Sequence, residues 1–266
     1  MSGHTTIHST AIVDSSSQVG EGVTIGAYSI VGSNVILKDN VKVGPHVVID
    51  GYTTIGEGSI LYQFSSIGAA PQDLKYHGEP STLVIGKNNT IREFVTIQPG
   101  TKSGGMETVI GDKNLFMANS HVGHDCKVGN NNVIANSCAL AGHVTIENNT
   151  ILGGLSAIHQ FAKIGSFAML GGGAMVSADV PPYCIAQGDR AKLRGVNVIG
   201  LERAGYSKEE ISAVRKAYRH LFISSGSLTN KLESLPQDIS QFPLVKSLIF
   251  FISNAERGIC SSAKSL

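Results

Sequence analysis

An aliphatic residue recurs at every sixth position over most of this 266-residue chain. The pattern runs without exception in three blocks, from Ile7 to Ile67, from Ile85 to Ile97 and from Ile110 to Val176, with Phe116 as the one aromatic member. Because no helix has a period of six, the pattern predicts short strands that recur once per hexad. Such strands stack as the coils of a parallel β-helix, in which each coil hydrogen-bonds to the next.

Two further hexad positions support this interpretation. The residue after the aliphatic one is often Gly, and the residue two positions before it is mostly small, as at Ala11, Ser17 and Cys126. One large and one small side chain therefore point inward in each hexad, and Gly permits the backbone conformations needed near corners. The composition agrees, because the chain has 31 Gly and no Trp. We expect a narrow core of small aliphatic contacts.

The hexads resemble those of the hexapeptide-repeat family. This resemblance implies a mainly β fold, a left-handed parallel β-helix with three hexads per coil, whereas the general rule for parallel connections would favour the right hand. The chain shows 26 hexads, and we assign two more to the first break in the pattern, which keeps the spacing of one coil between Ile67 and Ile85. Together they predict roughly nine coils.

The breaks in the pattern predict two surface loops, at about residues 69–83 and 98–108, both rich in Pro and Gly. The first loop carries Asp73, Lys75 and His77. Inserted loops often carry functional residues.

The hexads stop after Pro181 and Pro182, and helical periodicity replaces them. Ser207 and Glu210 have the spacing of a capping box, and apolar residues follow at helical spacing. We therefore predict two domains, a β-helix over residues 1–190 and an α-helical C-terminal domain over residues 191–266.

The two predicted domains differ in charge. Residues 191–266 carry 11 Lys and Arg against 6 Asp and Glu, a net charge of +5, whereas residues 1–190 carry 10 against 14, a net charge of −4. Arg215, Lys216 and Arg219 lie within about one helical turn of each other. They form either an ordinary solvated helix face or a docking surface for an acidic partner.

Several classes of protein are disfavoured by the whole-chain composition. A net charge of +1 argues against a dedicated nucleic-acid binder. The N-terminus lacks the features of a signal peptide, and no uncharged apolar run reaches the ~18 residues of a membrane span. The four Cys show no CxxC spacing, which favours free thiols in a reducing cytoplasm. We expect a cytoplasmic protein without a membrane span.

Four of the nine His fall between residues 121 and 159, and none occupies an inward hexad position. The hexads that begin at Val122, Leu140 and Ile158 are each separated by one full coil of three hexads and should stack on one face of the prism. His121, His124, His143 and His159 should then form a column along one side, with Gly142 directly above His124. The Gly142 N–H is thus a candidate oxyanion donor beside an imidazole.

Three interpretations of this column remain open from the residues alone. Neutral His can bind zinc, as in hexapeptide-repeat carbonic anhydrases, which would predict a zinc-dependent hydratase. His can also act as a general base, because its pKa lies near 7. A purely structural or binding β-helix would leave the column without a catalytic role.

Five motifs make the resemblance more specific. They are Asn119–Cys126, Leu140–His143, Ile158–Phe161, Pro71–Tyr76 and Pro181–Gly188. Together with the helical C-terminal region, they resemble the UDP-N-acetylglucosamine O-acyltransferase family of lipid A biosynthesis over essentially the whole chain. That family moves a fatty acyl group, usually 3-hydroxyacyl, from acyl carrier protein to the sugar 3-hydroxyl. It works as a homotrimer with active sites between subunits, and acyl carrier protein is acidic.

The resemblance implies a role for each matching residue. His124 would be the general base, Asp125 would support it, and the Gly142 N–H would stabilise the oxyanion. The substrate-binding residues would be Asp73, Lys75, His121, His143, His159, Gln160, Asn197 and Arg203. Gly172 matches the position that sets acyl length, and a Gly there implies a groove longer than the shortest. No cofactor and no metal ion are expected.

The sequence departs from the family pattern at three positions, which hold Gln98, Ile199 and Ala204. Relatives that acylate a 3-amino sugar leave the acceptor open between UDP-N-acetylglucosamine and its 3-amino analogue. The related N-acyltransferase of the same pathway usually carries an extra N-terminal domain, whereas the hexads here begin at Ile7.

Overall fold

Twenty-eight short strands and a set of C-terminal helices make up the computed structural model, which describes residues 4–263. The outermost residues of the two predicted domains, 1–3 and 264–266, lie outside the described residues. The strands are β1 Thr6–Ile7, β2 Ile12–Val13, β3 Gln18–Val19, β4 Thr24–Ile25, β5 Ile30–Val31, β6 Ile36–Leu37, β7 Lys42–Val43, β8 Val48–Ile49, β9 Tyr52–Ile55, β10 Ile60–Leu61, β11 Ser66–Ile67, β12 Thr82–Ile85, β13 Thr90–Ile91, β14 Thr96–Ile97, β15 Glu107–Ile110, β16 Leu115–Phe116, β17 His121–Val122, β18 Lys127–Val128, β19 Val133–Ile134, β20 Ala139–Leu140, β21 Thr145–Ile146, β22 Ile151–Leu152, β23 Ala157–Ile158, β24 Lys163–Ile164, β25 Met169–Leu170, β26 Met175–Val176, β27 Cys184–Gln187 and β28 Lys192–Val196. The helices are α1 Val198–Arg203, α2 Lys208–Tyr218, a π-helical turn Arg219–Ile223, α3 Leu228–Glu233, α4 Gln237–Ser240 and α5 Pro243–Ser253.

The strands form three sheets, and each strand from β1 to β23 pairs with the strand three places further along the chain. One sheet runs from β1 through β25 to β27 and β28, a second from β2 to β26, and a third from β3 to β24. All pairs in the coils are parallel, and successive coils rise by about 4.8 Å. The predicted fold class, a left-handed parallel β-helix followed by α-helices, is confirmed.

The core of the prism consists of the hexad residues. The aliphatic positions from Ile25 to Val176 are buried, and so are the small residues two places before them, such as Ser29, Cys126 and Ala174. The first coil differs, because Ile7 is 46% exposed. No coil among the described residues lies below it to cover its apolar side.

A left-handed backbone conformation recurs at the corners of the prism, three positions after the aliphatic residue. Asp125, His143 and Phe161 occupy it on one edge, with φ of 58°, 63° and 67°. Non-glycine residues rarely adopt such angles, so the closure of each coil must impose them. The repeat places these three side chains in a vertical column, one coil apart.

The two predicted loops interrupt the coils without disturbing their register. We define the first loop as residues 69–81 and the second loop as residues 98–106, because β12 begins at Thr82 and β15 at Glu107. Ile55 pairs with Ile85, and Ile85 pairs with Ile110, so both pairs are separated by more than the three hexads of an uninterrupted coil. The prediction that the first break holds two hexads is therefore wrong, since the extra chain is an insertion at one corner that adds no strand to the prism.

The prism ends in a hairpin that leads into the helices. β27 continues a sheet of the prism, and β28 pairs with it antiparallel, so the predicted domain boundary at residue 190 falls in the turn between them. The predicted capping box forms at the start of α2, because the Ser207 hydroxyl accepts from the Glu210 N–H and the Glu210 carboxylate accepts from the Ser207 N–H. A second hydrophobic cluster, centred on Leu201, Val214 and Leu248, holds the helices together.

Candidate active site

A cavity of about 550 Å³ lies where the two loops meet the stacked coils. Its lining includes five residues that the sequence analysis singled out, Asp73, Lys75, His124, His143 and Gln160, together with Gln72, Leu74, Ser103 and Phe161. The predicted stacking is confirmed, because Val122 pairs with Leu140 and Leu140 pairs with Ile158. The cavity thus combines imidazoles from the prism with a carboxylate and an amine from the first loop.

His124 and Asp125 form a hydrogen-bonded pair at the base of this cavity. The His124 Nδ1 lies 2.8 Å from the Asp125 Oδ2, and both residues are buried. Adjacent residues normally point to opposite sides of an extended strand. Here the left-handed conformation of Asp125 turns the backbone between them, so that the two side chains meet.

Thr101 of the second loop holds the Asp125 carboxylate from its other side. The Thr101 N–H donates to Asp125 Oδ1 at 2.9 Å, and the Thr101 hydroxyl donates to Asp125 Oδ2 at 2.6 Å. The carboxylate therefore takes part in three hydrogen bonds, while its side chain is only 1% exposed. A buried ionisable group needs such hydrogen-bond partners, because they offset the free-energy cost of removing it from water.

Gly142 passes directly over the His124 ring. A Cβ added at Gly142 would fall 2.6 Å from His124 Nε2, which is closer than side-chain contacts allow. Within residues 4–263 the Gly142 N–H makes no hydrogen bond. The position predicted for an oxyanion donor thus has both a close approach to the imidazole and an N–H without a partner in this part of the chain.

His143 lies between His124 and an aromatic ring. Its ring centroid is 5.0 Å from that of His124, edge to face, and 4.4 Å from that of Phe161, in a stacked arrangement. Burial lowers the pKa of His143, and the nearby Asp125 carboxylate, 3.8 Å from Nε2, opposes part of this effect. His143 is therefore neutral near pH 7 and can act as a hydrogen-bond donor or acceptor to a ligand.

The remaining predicted residues do not line this cavity within one chain. His121 is half-buried, with Nδ1 2.7 Å from the Thr96 hydroxyl, and His159 is exposed. Asn197 caps α1, since its amide nitrogen donates to the Phe167 carbonyl and its amide oxygen accepts from the Gly200 N–H. Arg203 is exposed in the last turn of α1, and Gly172 lies on an open surface where an added Cβ would meet only the Gly154 carbonyl oxygen, at 3.5 Å.

Sequence reasoning misses Thr101, Phe161 and the role of Gln98. The Gln98 side-chain oxygen accepts from the Gln72 N–H at 3.1 Å, so this residue links the two loops. A signal for Phe161 exists in the sequence, because this residue lies one coil after His143 in the same hexad position. Nothing in the repeat indicates which residue of an irregular loop will reach Asp125.

Cys126, next to the pair, is not a candidate nucleophile. Its Sγ donates to the Ala141 carbonyl at 3.1 Å, and burial raises the pKa of the thiol to about 12. The thiol therefore stays protonated at neutral pH, whereas thiolate chemistry requires the ionised form.

His124, Asp125 and His143 place one ligand atom each within 4.8 Å of one another, which is the spacing of a possible metal centre. The Asp125 oxygens already accept hydrogen bonds from Thr101 and approach His124. A metal ion would have to displace these bonds.

Two protein-family models match parts of the chain. Residues 179–260 match "Udp N-acetylglucosamine O-acyltransferase; Domain 2", and residues 107–142 match "Bacterial transferase hexapeptide (six repeats)". Relatives that align with nearly the whole chain are also named as UDP-N-acetylglucosamine O-acyltransferases. The acyl-(acyl-carrier-protein)–UDP-N-acetylglucosamine O-acyltransferase of Aliarcobacter butzleri is 48% identical over 95% of this chain and 97% of its own length. The protein of that name from Anaeromyxobacter dehalogenans is 49% identical over 95% of this chain and 98% of its own.

The chain belongs to the UDP-N-acetylglucosamine O-acyltransferase family. The solved structure of LpxA from Acinetobacter baumannii supports this assignment at the level of fold, with a TM-score of 0.93 and 42% identity over 96% of this chain and 99% of that chain. The resemblance indicated by the sequence motifs is confirmed, and this member of the UDP-N-acetylglucosamine O-acyltransferase family is an acyltransferase.

Proposed function

We propose that this chain transfers a (3-hydroxy)acyl group from acyl carrier protein to the 3-hydroxyl of UDP-N-acetylglucosamine, the first step of lipid A biosynthesis. Family membership supports the reaction class. The observation that carries the mechanism is the buried His124–Asp125 pair, with Nδ1 2.8 Å from the carboxylate and the ring closely covered by Gly142. An imidazole held in this way through Nδ1 presents Nε2 as a base to the cavity.

The reaction follows from this geometry. His124 Nε2 removes the proton of the sugar 3-hydroxyl while the oxygen attacks the thioester carbonyl carbon. The Gly142 N–H donates to the oxyanion of the tetrahedral intermediate. The C–S bond then breaks, the ester forms, and the imidazolium returns its proton to the departing thiolate.

The proposed substrate-binding residues are of two kinds, those that line the cavity and those that lie outside it. Asp73, Lys75, His143 and Gln160 line the cavity and would hold the sugar and the phosphopantetheine ends. His121, His159, Asn197 and Arg203 would bind further parts of the substrates, and Gly172 would leave room for the acyl chain. Because Asn197 and Arg203 lie outside the single-chain cavity, their participation favours a homotrimer in which adjacent copies complete each site.

The basic helical region is the docking surface that we propose for acyl carrier protein. Arg215 and Arg219 are exposed and line a cavity of about 570 Å³ with Tyr218 and Ile223. A positively charged surface next to apolar side chains matches an acidic protein that carries a fatty acyl chain.

The proposal also includes a division of the chain into a β-helix domain, residues 1–190, and an α-helical domain, residues 191–266, and a cytoplasmic location for the protein. No helix among residues 4–263 combines the length and apolarity needed to cross a bilayer.

The proposal predicts that His124→Ala abolishes acyl transfer. Loss of a general base lowers kcat by about 10²- to 10⁴-fold. The measurement is product formation by mass spectrometry from a matrix of acyl carrier protein thioesters and UDP-sugars, which also reports chain length and acceptor. His8→Ala, at an exposed histidine of the first coil, is the matched control and should keep wild-type turnover.

Near-wild-type turnover by folded His124→Ala would overturn the assignment of the base. The acceptor matrix separates UDP-N-acetylglucosamine from the 3-amino sugar alternative, since the products are an ester and an amide. Metal analysis of the purified protein separates both from a zinc-dependent hydratase, for which the His124, Asp125 and His143 cluster is the candidate ligand set.

A further inference from the structure

The second loop contacts both the His124–Asp125 pair and the first loop, which carries Asp73 and Lys75. We propose that Thr101 is a positioning residue that aligns the His124–Asp125 pair, and that the second loop fixes this pair and the first loop to one common support. The inference rests on the proposed function, because it assigns Thr101 a role through His124 as general base.

The contacts of Thr101 are directed at Asp125. Its N–H and its hydroxyl donate to different carboxylate oxygens, at 2.9 and 2.6 Å, and Thr101 itself is 1% exposed. A two-point attachment fixes the carboxylate plane as well as its position. Because Asp125 Oδ2 also lies 2.8 Å from His124 Nδ1, the orientation of the imidazole follows from that plane.

The loop is built to hold Thr101 in place. The Gly104 and Met106 N–H groups both donate to the Thr101 carbonyl, at 3.0 and 2.9 Å, which closes a tight turn around it. A Cβ at Gly104 would collide with the Asp125 carboxylate. The loop therefore packs its backbone directly against the carboxylate, which only glycine at this position permits.

The same loop carries contacts to the first loop. Gln98 accepts from the Gln72 N–H at 3.1 Å, and the Glu79 carboxylate accepts from the Lys102 N–H at 3.1 Å. Glu79 also accepts from the His77 N–H at 2.8 Å, within its own loop. Asp73 and Lys75 lie between the Gln72 and Glu79 anchors, so the substrate-binding side chains and the base share one support.

This arrangement predicts a specific kinetic defect. Displacement of a catalytic group by about 1 Å can cost about 10²-fold in rate. We expect Thr101→Val to lower kcat by about 10- to 100-fold, because it removes the hydroxyl donor but keeps shape and the backbone N–H. The KM values for both substrates should change less than kcat, since Thr101 does not line the cavity that holds His124 and lines only a smaller one of about 220 Å³ beside it, with Asp73 and Lys75. Thr101→Ser keeps the hydroxyl and should recover most of the activity.

The matched control is Thr150→Val. Thr150 is also a buried threonine whose hydroxyl donates to a buried side chain, Asn132 Oδ1 at 2.8 Å, but it does not contact the site. It should keep wild-type kcat. Gly104→Ala is a second, independent test, because its methyl group would push on the Asp125 carboxylate, and it should lower kcat as Thr101→Val does.

Four outcomes would overturn the inference. They are a kcat for Thr101→Val within about twofold of wild type, a Ser variant as impaired as the Val variant, an equal loss in Thr150→Val, or unchanged kcat in Gly104→Ala when Thr101→Val does not fold. His124→Ala is measured in parallel. An active His124→Ala means that the proposed function has failed, whereas an inactive His124→Ala beside a fully active Thr101→Val means that only the positioning role has failed.

Discussion

At the scale of single residues, one backbone angle allows the catalytic pair to form. Asp125 has φ of 58°, a conformation that costs a non-glycine residue roughly 1–2 kcal/mol. The closure of the coil imposes this angle, and the hydrogen bonds from Thr101 add to its stability. The outcome is that the side chains of two adjacent residues, His124 and Asp125, meet and form a hydrogen bond.

Two half-buried histidines, His121 and His143, predict a pH dependence of stability at this scale. Burial, and to a smaller extent His124, lowers the pKa of His121 below its ordinary value of 6.5. Below pH 6.5 the unfolded chain therefore binds more protons than the folded chain at this position, so the free energy of unfolding falls as pH drops towards the folded pKa. The contribution is fully present above pH 6.5. His121→Gln should weaken this pH dependence, measured as melting temperature between pH 7 and about pH 5.

The control for this prediction is His8→Gln, at an exposed position on the first coil. It should leave the slope of melting temperature against pH as in the wild type. His143, whose pKa is also lowered chiefly by burial, contributes in the same direction, so His121→Gln should reduce the slope without removing it. An identical slope in His121→Gln and the wild type would contradict the prediction.

At the scale of elements, the coils keep their register independently of the first loop. The first loop is inserted at a corner between β11 and β12, yet β12 pairs in register with β9 of the preceding coil along its whole length, from Tyr52 with Thr82 to Ile55 with Ile85. The prism therefore keeps its shape whatever the loop holds. This independence makes the loops suitable carriers of binding residues on a rigid support.

A variant at the contact between the loops should affect binding more than turnover. Glu79→Ala removes the carboxylate that accepts from Lys102 and His77, so the segment with Asp73 and Lys75 loses one of its anchors. We expect the KM for UDP-N-acetylglucosamine or for the acyl donor to rise several-fold, while kcat stays near wild type because Thr101 and Asp125 are untouched. Steady-state kinetics with each substrate varied in turn is the measurement.

Glu57→Ala is the matched control for Glu79→Ala. Glu57 forms an exposed ion pair with Lys87, at 3.1 Å, on another part of the prism. Its removal should leave both KM values unchanged. A fall in kcat without a rise in either KM for Glu79→Ala would show that the first loop acts on the base and not on binding.

The elements also show how much the sequence reveals. The hexads predict the strands, the stacking and the column of His124, Gly142 and His143, because a fixed period leaves one register. Loops have no period, so the sequence suggests two hexads where the structure has an insertion, and it gives no indication that Thr101 contacts Asp125. The meeting of His124 with Asp125 depends on a left-handed corner that the residue types alone do not specify.

At the scale of the whole molecule, charge is divided between the two ends of the chain. Residues 191–266 carry a net charge of +5 and residues 1–190 a net charge of −4. Exposed charges such as Arg215 and Lys216 attract an acidic partner at long range, and salt screens them, with a Debye length of about 10 Å at 0.1 M. Added salt should therefore raise the KM for acyl carrier protein thioesters much more than for an uncharged acyl-pantetheine donor.

Arg219→Glu, at an exposed residue of the proposed docking surface, tests the location of this effect. It should raise the KM for the carrier-protein donor several-fold at low salt and reduce the salt dependence, whereas Lys38→Glu, at an exposed lysine of the prism, should do neither. Equal effects of the two variants would mean that overall charge, not the helical surface, attracts the donor.

The exposed apolar side of the first coil has a consequence for assembly and design. The hairpin and the helices cover one end of the prism, but β1 and β2 leave backbone donors and acceptors without a neighbouring strand among the described residues. An unpaired strand edge can template a further strand. New coils that follow the hexad rule could therefore be appended at this end, lengthening the molecule one coil at a time while the chemistry several coils away stays as it is.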